Sequence, residues 1–130
     1  ITAVHCTYDP ESKGGTTADG RKVRGTSHWV SAEHSVKAEI RQYDKLFKAP
    51  DPGAATGNYL DDINPESLIV IDDALVEEEA KSAKPGDYLQ FIRNGYYMAD
   101  SHDSSAEHLV FNRTVTLKDS WSKMKQKMGL

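Results

Sequence analysis

Gln90-Phe91-Ile92-Arg93, directly before Asn94-Gly95, is the stretch of this chain best equipped for molecular recognition. An amide and a guanidinium carry donors and acceptors that match the Watson–Crick edges of unpaired RNA bases. Arginine adds planar, charge-assisted bonds to a base or a phosphate. The plainer reading of the same residues is a solvated hairpin tip. Strand alternation groups Gln90 with Ile92 and Phe91 with Arg93, so Gln90 and Arg93 share a ligand only if the strand twists or bulges near the turn. Trp29, Tyr43, Phe47, Tyr88, Phe91, Tyr96 and Tyr97 offer stacking platforms for bases or, more simply, the core of a barrel. Tyr96 and Tyr97 point to opposite faces of a strand, so one of them is expected at the surface. Arg21, Lys22, Arg24 and Lys118 suit phosphate contacts that position an RNA without reading it, and a solvated basic edge explains them equally.

Catalytic chemistry finds little to work with. Asp61-Asp62 and Asp72-Asp73 are adjacent carboxylates, which on a strand diverge to opposite faces and fit solvated positions. The histidines, His5, His28, His34, His102 and His108, show no metal-ligand spacing, and a single cysteine builds no structural zinc site. Gly53–Gly57 lacks the Gly-Lys-Ser/Thr ending of a phosphate loop. Lys123-Met124-Lys125 matches poorly with the lysine-rich loop of class I synthetases, and the chain has no HIGH-like partner to it. Asn112-Arg113-Thr114 spells a glycosylation acceptor without any sign of secretion. No catalytic residue, metal ligand or cofactor is therefore expected within these 130 residues.

Composition agrees with a soluble globular domain: 28% charged and 38% hydrophobic residues, with no apolar run long enough to span a bilayer. The lone Cys6 excludes an intrachain disulfide and fits a reducing, cytoplasmic setting as a small strand residue. A net charge of −4 argues against loose, charge-driven nucleic-acid binding, but a local basic face can sit on an acidic domain. The chain opens without Met, in a strand-like alternation, and is expected to be a piece of a longer protein.

The elements that must position these residues follow mostly a period of two. Strands are expected over Val23–Ser31, from Val36 to Ile40, over Ser67–Ile71 as a buried run, over Tyr88–Arg93 and Tyr96–Ala99, and over Leu109–Leu117. Asn94-Gly95 is the strongest hairpin signal, since both central residues of a tight turn must tolerate positive φ. Glu11–Gly20, Ala49–Asn58 and Ser101–Glu107 read as loops. Helix propensity suggests Ala74–Ser82, and Asp119 can cap a short helix over Ser120–Lys127. Many short strands between turn signals predict a mainly β fold, an antiparallel β-barrel with a short C-terminal helix, spanning residues 1–130 as one domain.

Longer blocks carry a family resemblance. CTYDP at Cys6–Pro10, ADGRKVRGTSHWVSA at Ala18–Ala32, EIRQYDKLF at Glu39–Phe47 and PDPG at Pro50–Gly53 come first. NPESL at Asn64–Leu68, QFIRNGY at Gln90–Tyr96 and VFNRTVTLKDSW at Val110–Trp121 follow in order. Together they resemble the C-terminal anticodon-binding part of the glutaminyl-tRNA synthetases. His28-Trp29-Val30 followed by Ile40-Arg41-x-Tyr43 is similar to the glutaminyl members rather than to their glutamyl relatives.

The resemblance implies a fold like that of a ribosomal 5S RNA-binding protein, with the distal barrel and returning strands of a proximal one. It implies that the longer protein is a class I ligase joining glutamine to its tRNA with ATP and magnesium. The catalytic domain of such an enzyme lies upstream, so this piece is expected to be inactive by itself. In the family the Gln and Arg of the Q-F-x-R motif contact anticodon bases, and the matching positions here are Gln90 and Arg93. The family's usual Glu between Phe and Arg is Ile92 in this chain. Expected partners are the anticodon stem-loop of tRNA(Gln) and the upstream catalytic and proximal-barrel parts of the same protein, in a cytoplasmic monomer away from membranes. The rival readings are a free-standing RNA-binding barrel and a protein-interaction barrel without catalysis, with a small hydrolase well behind.

Overall fold

A computed structural model describes residues 2–12, 17–23, 25 and 27–117. Five strands form one sheet: β1 (Ser35–Tyr43), β2 (Leu68–Glu77), β3 (Tyr88–Phe91), β4 (Gly95–Ala99) and β5 (Leu109–Val115). The spatial order is β2-β1-β5-β4-β3, which leaves β2 and β3 as the two ends. Mainly β architecture matches the expectation from period-two patterning. It departs from the expected antiparallel barrel in two respects: β2 and β3 end the described sheet without pairing to close it, and β1 and β5 run parallel, with Ala38 opposite Leu109 and Ile40 opposite Phe111. The other ladders are antiparallel.

Alternation explains which side of the sheet is covered. On β1, Ala38 and Ile40 are buried, while Lys37 before them is exposed and Glu39 between them is half-buried. They join Val76, Tyr97, Ala99, Leu109 and Phe111, with Ala80 from a short 3-10 helix over Glu78–Ser82. Phe111 is wholly buried at the centre of β5, and removing an aromatic side chain there would cost about 3–5 kcal/mol in lost transfer energy and cavity formation.

The reverse face is held by ions. Arg41 on β1 bonds Glu39 at 2.6 Å and Asp103 at 2.6 Å, with Asp100 at 3.5 Å. Asp100 accepts from the backbone N–H groups of His102 and Asp103, both at 2.8 Å, and from the Asn112 amide at 2.6 Å. Those bonds fold the loop after β4 back over Val110, whose N–H reaches the buried Ser104 hydroxyl at 3.2 Å. Held in its charged form by these bonds, the Asp100 carboxyl has its pKa lowered to about 2, chiefly by the Asp103 N–H, then by Asn112 and the His102 N–H.

Several sequence expectations are corrected. The described residues of Val23–Ser31 form no strand, and Trp29 is 79% exposed. One side of that alternation presents Gly25 and Ser27, which leaves too little apolar surface to hold it against a sheet. Cys6 likewise lies outside any strand, exposed as a free thiol. Ser67–Ile71 does lead into β2, but as an exposed run, with Leu68, Ile69, Val70 and Ile71 at 37–50%. β2 continues to Glu77 and only then turns into the 3-10 helix, so no α-helix spans Ala74–Ser82. Cross-strand pairing with β1, from Ser35–Glu77 to Tyr43–Leu68, overrides local helix propensity there. Ala38 faces Ala74 and Ile40 faces Ile71, so Glu39 alone opposes both Asp72 and Asp73. Such a bulge explains how two exposed neighbouring acids are accommodated. The helix expected over Ser120–Lys127 lies outside the described residues.

Candidate nucleic-acid interface

β3 and β4 form a hairpin in register Tyr88–Met98, Leu89–Tyr97, Gln90–Tyr96 and Phe91–Gly95. Its turn differs from the Asn94-Gly95 expectation. The Asn94 N–H bonds the Phe91 carbonyl at 2.9 Å, which makes Ile92 and Arg93 the central residues. Arg93 has φ +69°, the only positive φ among the described non-glycine residues. Gly95 is displaced into the first position of β4, at φ +153°. A Cβ there would come within 2.8 Å of the Val115 carbonyl oxygen. The close approach of β4 to β5 thus takes the glycine, and the left-handed position of the turn falls to an arginine. A non-glycine side chain in that region is uncommon and costly, and such residues cluster at functional sites.

The turn is anchored from inside. Phe91 stacks on Tyr97 with centroids 4.6 Å apart and meets Phe111 edge-on at 5.2 Å. Tyr97 is 2% exposed, and burial pushes its hydroxyl upward, partly offset by Arg113 and by a bond to Gln42. Arg113 itself bonds the Gln42 amide oxygen at 3.0 Å. Phe91 therefore fixes the residues on either side of it to the sheet centre.

Gln90 and Arg93 are both exposed. The conflict with alternation dissolves because Arg93 stands beyond the end of β3, where strand periodicity no longer governs its direction. Tyr88 and Gln90 share the outward side of β3, opposite the half-buried Leu89 and Phe91. The aromatics divide differently from a core reading: Tyr97 is buried and Phe91 packs on the core, but Trp29, Tyr43, Tyr88 and Tyr96 stand exposed.

Beside β3 lies a cleft of about 480 Å³, lined by His28, Leu75, Ala80, Tyr88, Gln90 and Asn94 among others. It separates the two ends of the sheet, with β2 and the 3-10 helix forming the far wall. That wall was illegible in sequence because its residues read as a helix, and Leu75 and Val76, one exposed and one buried, are both apolar and show no alternation. Glu77, Glu79 and Asp87 also line the cleft, a set of charges that disfavours phosphate and leaves neutral groups as the better occupants.

The basic candidates are dispersed. Arg21 is engaged by Asp9 and Asp19, each at 2.7 Å. Lys22 is exposed, and Arg24 and Lys118 lie outside the described residues. Among the described residues no three His, Cys, Asp or Glu side chains come together as metal ligands. No helix among them is long and apolar enough to cross a membrane.

Comparison with known proteins places this geometry. Residues 26–100 match the family described as "tRNA synthetases class I (E and Q), anti-codon binding domain". The chain is 55% identical over 124 residues to the glutamine–tRNA ligase of Serratia proteamaculans, covering 95% of this chain and 22% of that protein. It is 54% identical over 131 residues to that of Vibrio vulnificus, covering 98% and 22%. Identity to the Rhodopirellula baltica ligase is 49% over 129 residues, covering 98% and 21%. The chain thus spans about a fifth of the length of these curated relatives.

Proposed function

The chain belongs to the anticodon-binding domain family of the class I tRNA synthetases for glutamate and glutamine, and from that premise we propose that it reads the anticodon of tRNA(Gln) for a longer glutamine–tRNA ligase. In this reading Gln90 and Arg93 contact anticodon bases, and residues 1–130 act as one anticodon-binding domain. Lys22, Arg24 and Lys118 touch the RNA backbone. Attachment of glutamine, with its ATP and magnesium, is assigned to the part of the protein outside this chain. The ligase works in the cytoplasm as a monomer, joined through this domain's neighbouring barrel to its catalytic part.

The observation that carries the reading is the state of the hairpin tip. Neither the Gln90 amide nor the Arg93 guanidinium bonds any described residue, although Arg93 is held at a costly backbone angle on a rigidly anchored turn. Their donors and acceptors face solvent from a fixed backbone, open to a base edge, and ordering each of the two side chains on binding costs about 0.5–1.5 kcal/mol that base contacts must offset. Ile92, 60% exposed between them, adds apolar surface without a competing carboxylate.

Binding of the intact ligase to tRNA(Gln), and to the same tRNA with each anticodon base replaced, tests this across a salt series. Gln90→Ala and Arg93→Ala are expected to weaken binding and to flatten the difference between cognate and altered anticodons, each by about 1–3 kcal/mol. Equal weakening for every anticodon, with a shallower salt slope, assigns Arg93 to phosphate instead. Undiminished discrimination by both variants rejects the site.

A further inference from the structure

We propose that Tyr96 is an aromatic platform on which an unpaired RNA base held by Gln90 stacks. The inference rests on the reading of Gln90 as a base contact and adds a residue to it. Gln90 and Tyr96 are direct partners in the β3–β4 ladder. Partners in an antiparallel ladder project from the same face, with Cβ atoms about 4.5–5.5 Å apart. Tyr97, the next residue, points the other way into the core at 2% exposure, whereas Tyr96 is 44% exposed.

The backbone around Tyr96 is fixed in a manner that leaves its ring free. Between β4 and β5 the register slips at Tyr96–Tyr97, so that Tyr96 faces Val115 and Tyr97 faces Arg113. The Thr114 hydroxyl donates to the Tyr96 carbonyl at 3.1 Å. No described aromatic ring packs on Tyr96, in contrast to Phe91, Tyr97 and Phe111, which occupy one another. Its far neighbour Val115 is also exposed, at 58%. An amide, a phenol ring and an aliphatic side chain thus stand in a row across three strands.

That row matches the chemistry of a nucleobase. The amide supplies in-plane hydrogen bonds to a base edge, and an aromatic face beside it supplies the perpendicular contact, which is how single-stranded RNA is gripped. Tyr88 is the competing ring. It sits two residues along β3 on the same face, a strand advance of about 6.6 Å, and is therefore farther from the Gln90 amide than its ladder partner.

The test uses the intact ligase with anticodon stem-loop RNA carrying 2-aminopurine at one anticodon position at a time, since stacking on an aromatic ring quenches that base. The expected result is quenching at one position, the same position whose recognition Gln90→Ala impairs. Tyr96→Leu is expected to abolish the quenching and weaken binding by about tenfold or more, while Tyr96→Phe stays near wild type. Tyr88→Leu is expected to do much less. Tyr96→Trp, which keeps a stacking surface and preserves or deepens the quenching, decides the matter should Tyr96→Leu unfold on heating before the wild type does. Wild-type binding and quenching in Tyr96→Leu beside a weakened Gln90→Ala overturns the platform and leaves Gln90 as a base contact. A loss in Tyr88→Leu alone moves the platform to the other ring and overturns the proposal. Equal losses in Tyr96→Leu and Tyr96→Phe assign the effect to the hydroxyl and overturn it too. No effect in either Gln90→Ala or Tyr96→Leu rejects the proposal together with the base-contact reading.

Discussion

The Arg41 guanidinium donates to the Asp103 carboxylate at 2.6 Å although 62 residues separate the two along the chain. The bond joins the middle of β1 to the loop that follows β4, on the face opposite the apolar core. Glu39 and Asp100 complete the group, with side chains only 19% and 14% exposed. Loop and sheet are therefore one electrostatic unit, and its response to acid and to mutation can be stated.

Asp100 carries the acid sensitivity. Its carboxyl is lowered to about 2 in the folded protein against an ordinary value of 3.8. A depressed carboxyl contributes stability that is complete above its unfolded value and is lost as pH falls through its folded value. Stability measured by urea unfolding is expected to decline between about pH 4 and pH 2. Asp100→Asn, which cannot titrate, is expected to be less stable at neutral pH and to show a shallower decline over that window. An unchanged slope would show that other carboxylates govern it.

Arg41→Met keeps much of the side-chain bulk but leaves the Glu39, Asp100 and Asp103 carboxylates without the guanidinium they share. A loss of about 1–3 kcal/mol is expected in urea unfolding at pH 7, below the cost of a fully buried pair because water still reaches the site. Adding Glu39→Gln is expected to recover part of it, since one of the stranded charges is then gone.

Arg93 reverses the usual ranking of alanine and glycine. At φ +69° every residue with a Cβ is strained, by roughly 1–2 kcal/mol per residue. Glycine escapes that strain and gives back part of the gain as entropy in the unfolded chain. Arg93→Gly is expected to be more stable than Arg93→Ala by about 0.5–1 kcal/mol in thermal or urea unfolding, while both lose anticodon discrimination. An alanine variant as stable as the glycine variant would mean that the turn relaxes in solution.

Arg93 and Gly95 also show how far the sequence could be read. QFIRNGY located the hairpin and both members of the candidate site, because the residue types and the turn signal are local properties. It misplaced the turn by two residues. The reason is not local: the Val115 carbonyl on β5 presses on Gly95 and claims the glycine, a contact no alternation pattern contains. Strand identity was legible wherever a residue had a partner strand to bury it, as on β1, β4 and β5. Val23–Ser31 had the pattern without the partner, and β2 had a partner at its edge without a cover for its face. The parallel β1–β5 pairing was equally hidden, since nothing in a strand's own residues records the direction of its neighbour.

Gly95→Ala probes that same contact. A methyl group 2.8 Å from the Val115 carbonyl must separate β4 from β5 or rotate the start of β4. The combined strain is expected to cost about 1–3 kcal/mol of stability. Amide hydrogen exchange is expected to quicken along β4 and β5 while β1–β2 amides keep most of their protection. Uniform protection in the variant would show that the approach is looser than 2.8 Å.

The parallel ladder between β1 and β5 also sets a timetable. Ala38 waits for Leu109, so during synthesis β1 emerges from the ribosome long before its central neighbour exists, and of the described strands the first it can meet is β2. The β3–β4 hairpin, made of near neighbours, is available earlier than the place where it must dock. Closing a loop of that length is paid for before any of the resulting contacts reward it. β5 is thus the keystone of the described sheet, inserted between two hairpin-like halves, and a ribosome stalled before Leu109 would hold two half-sheets with no centre to join them.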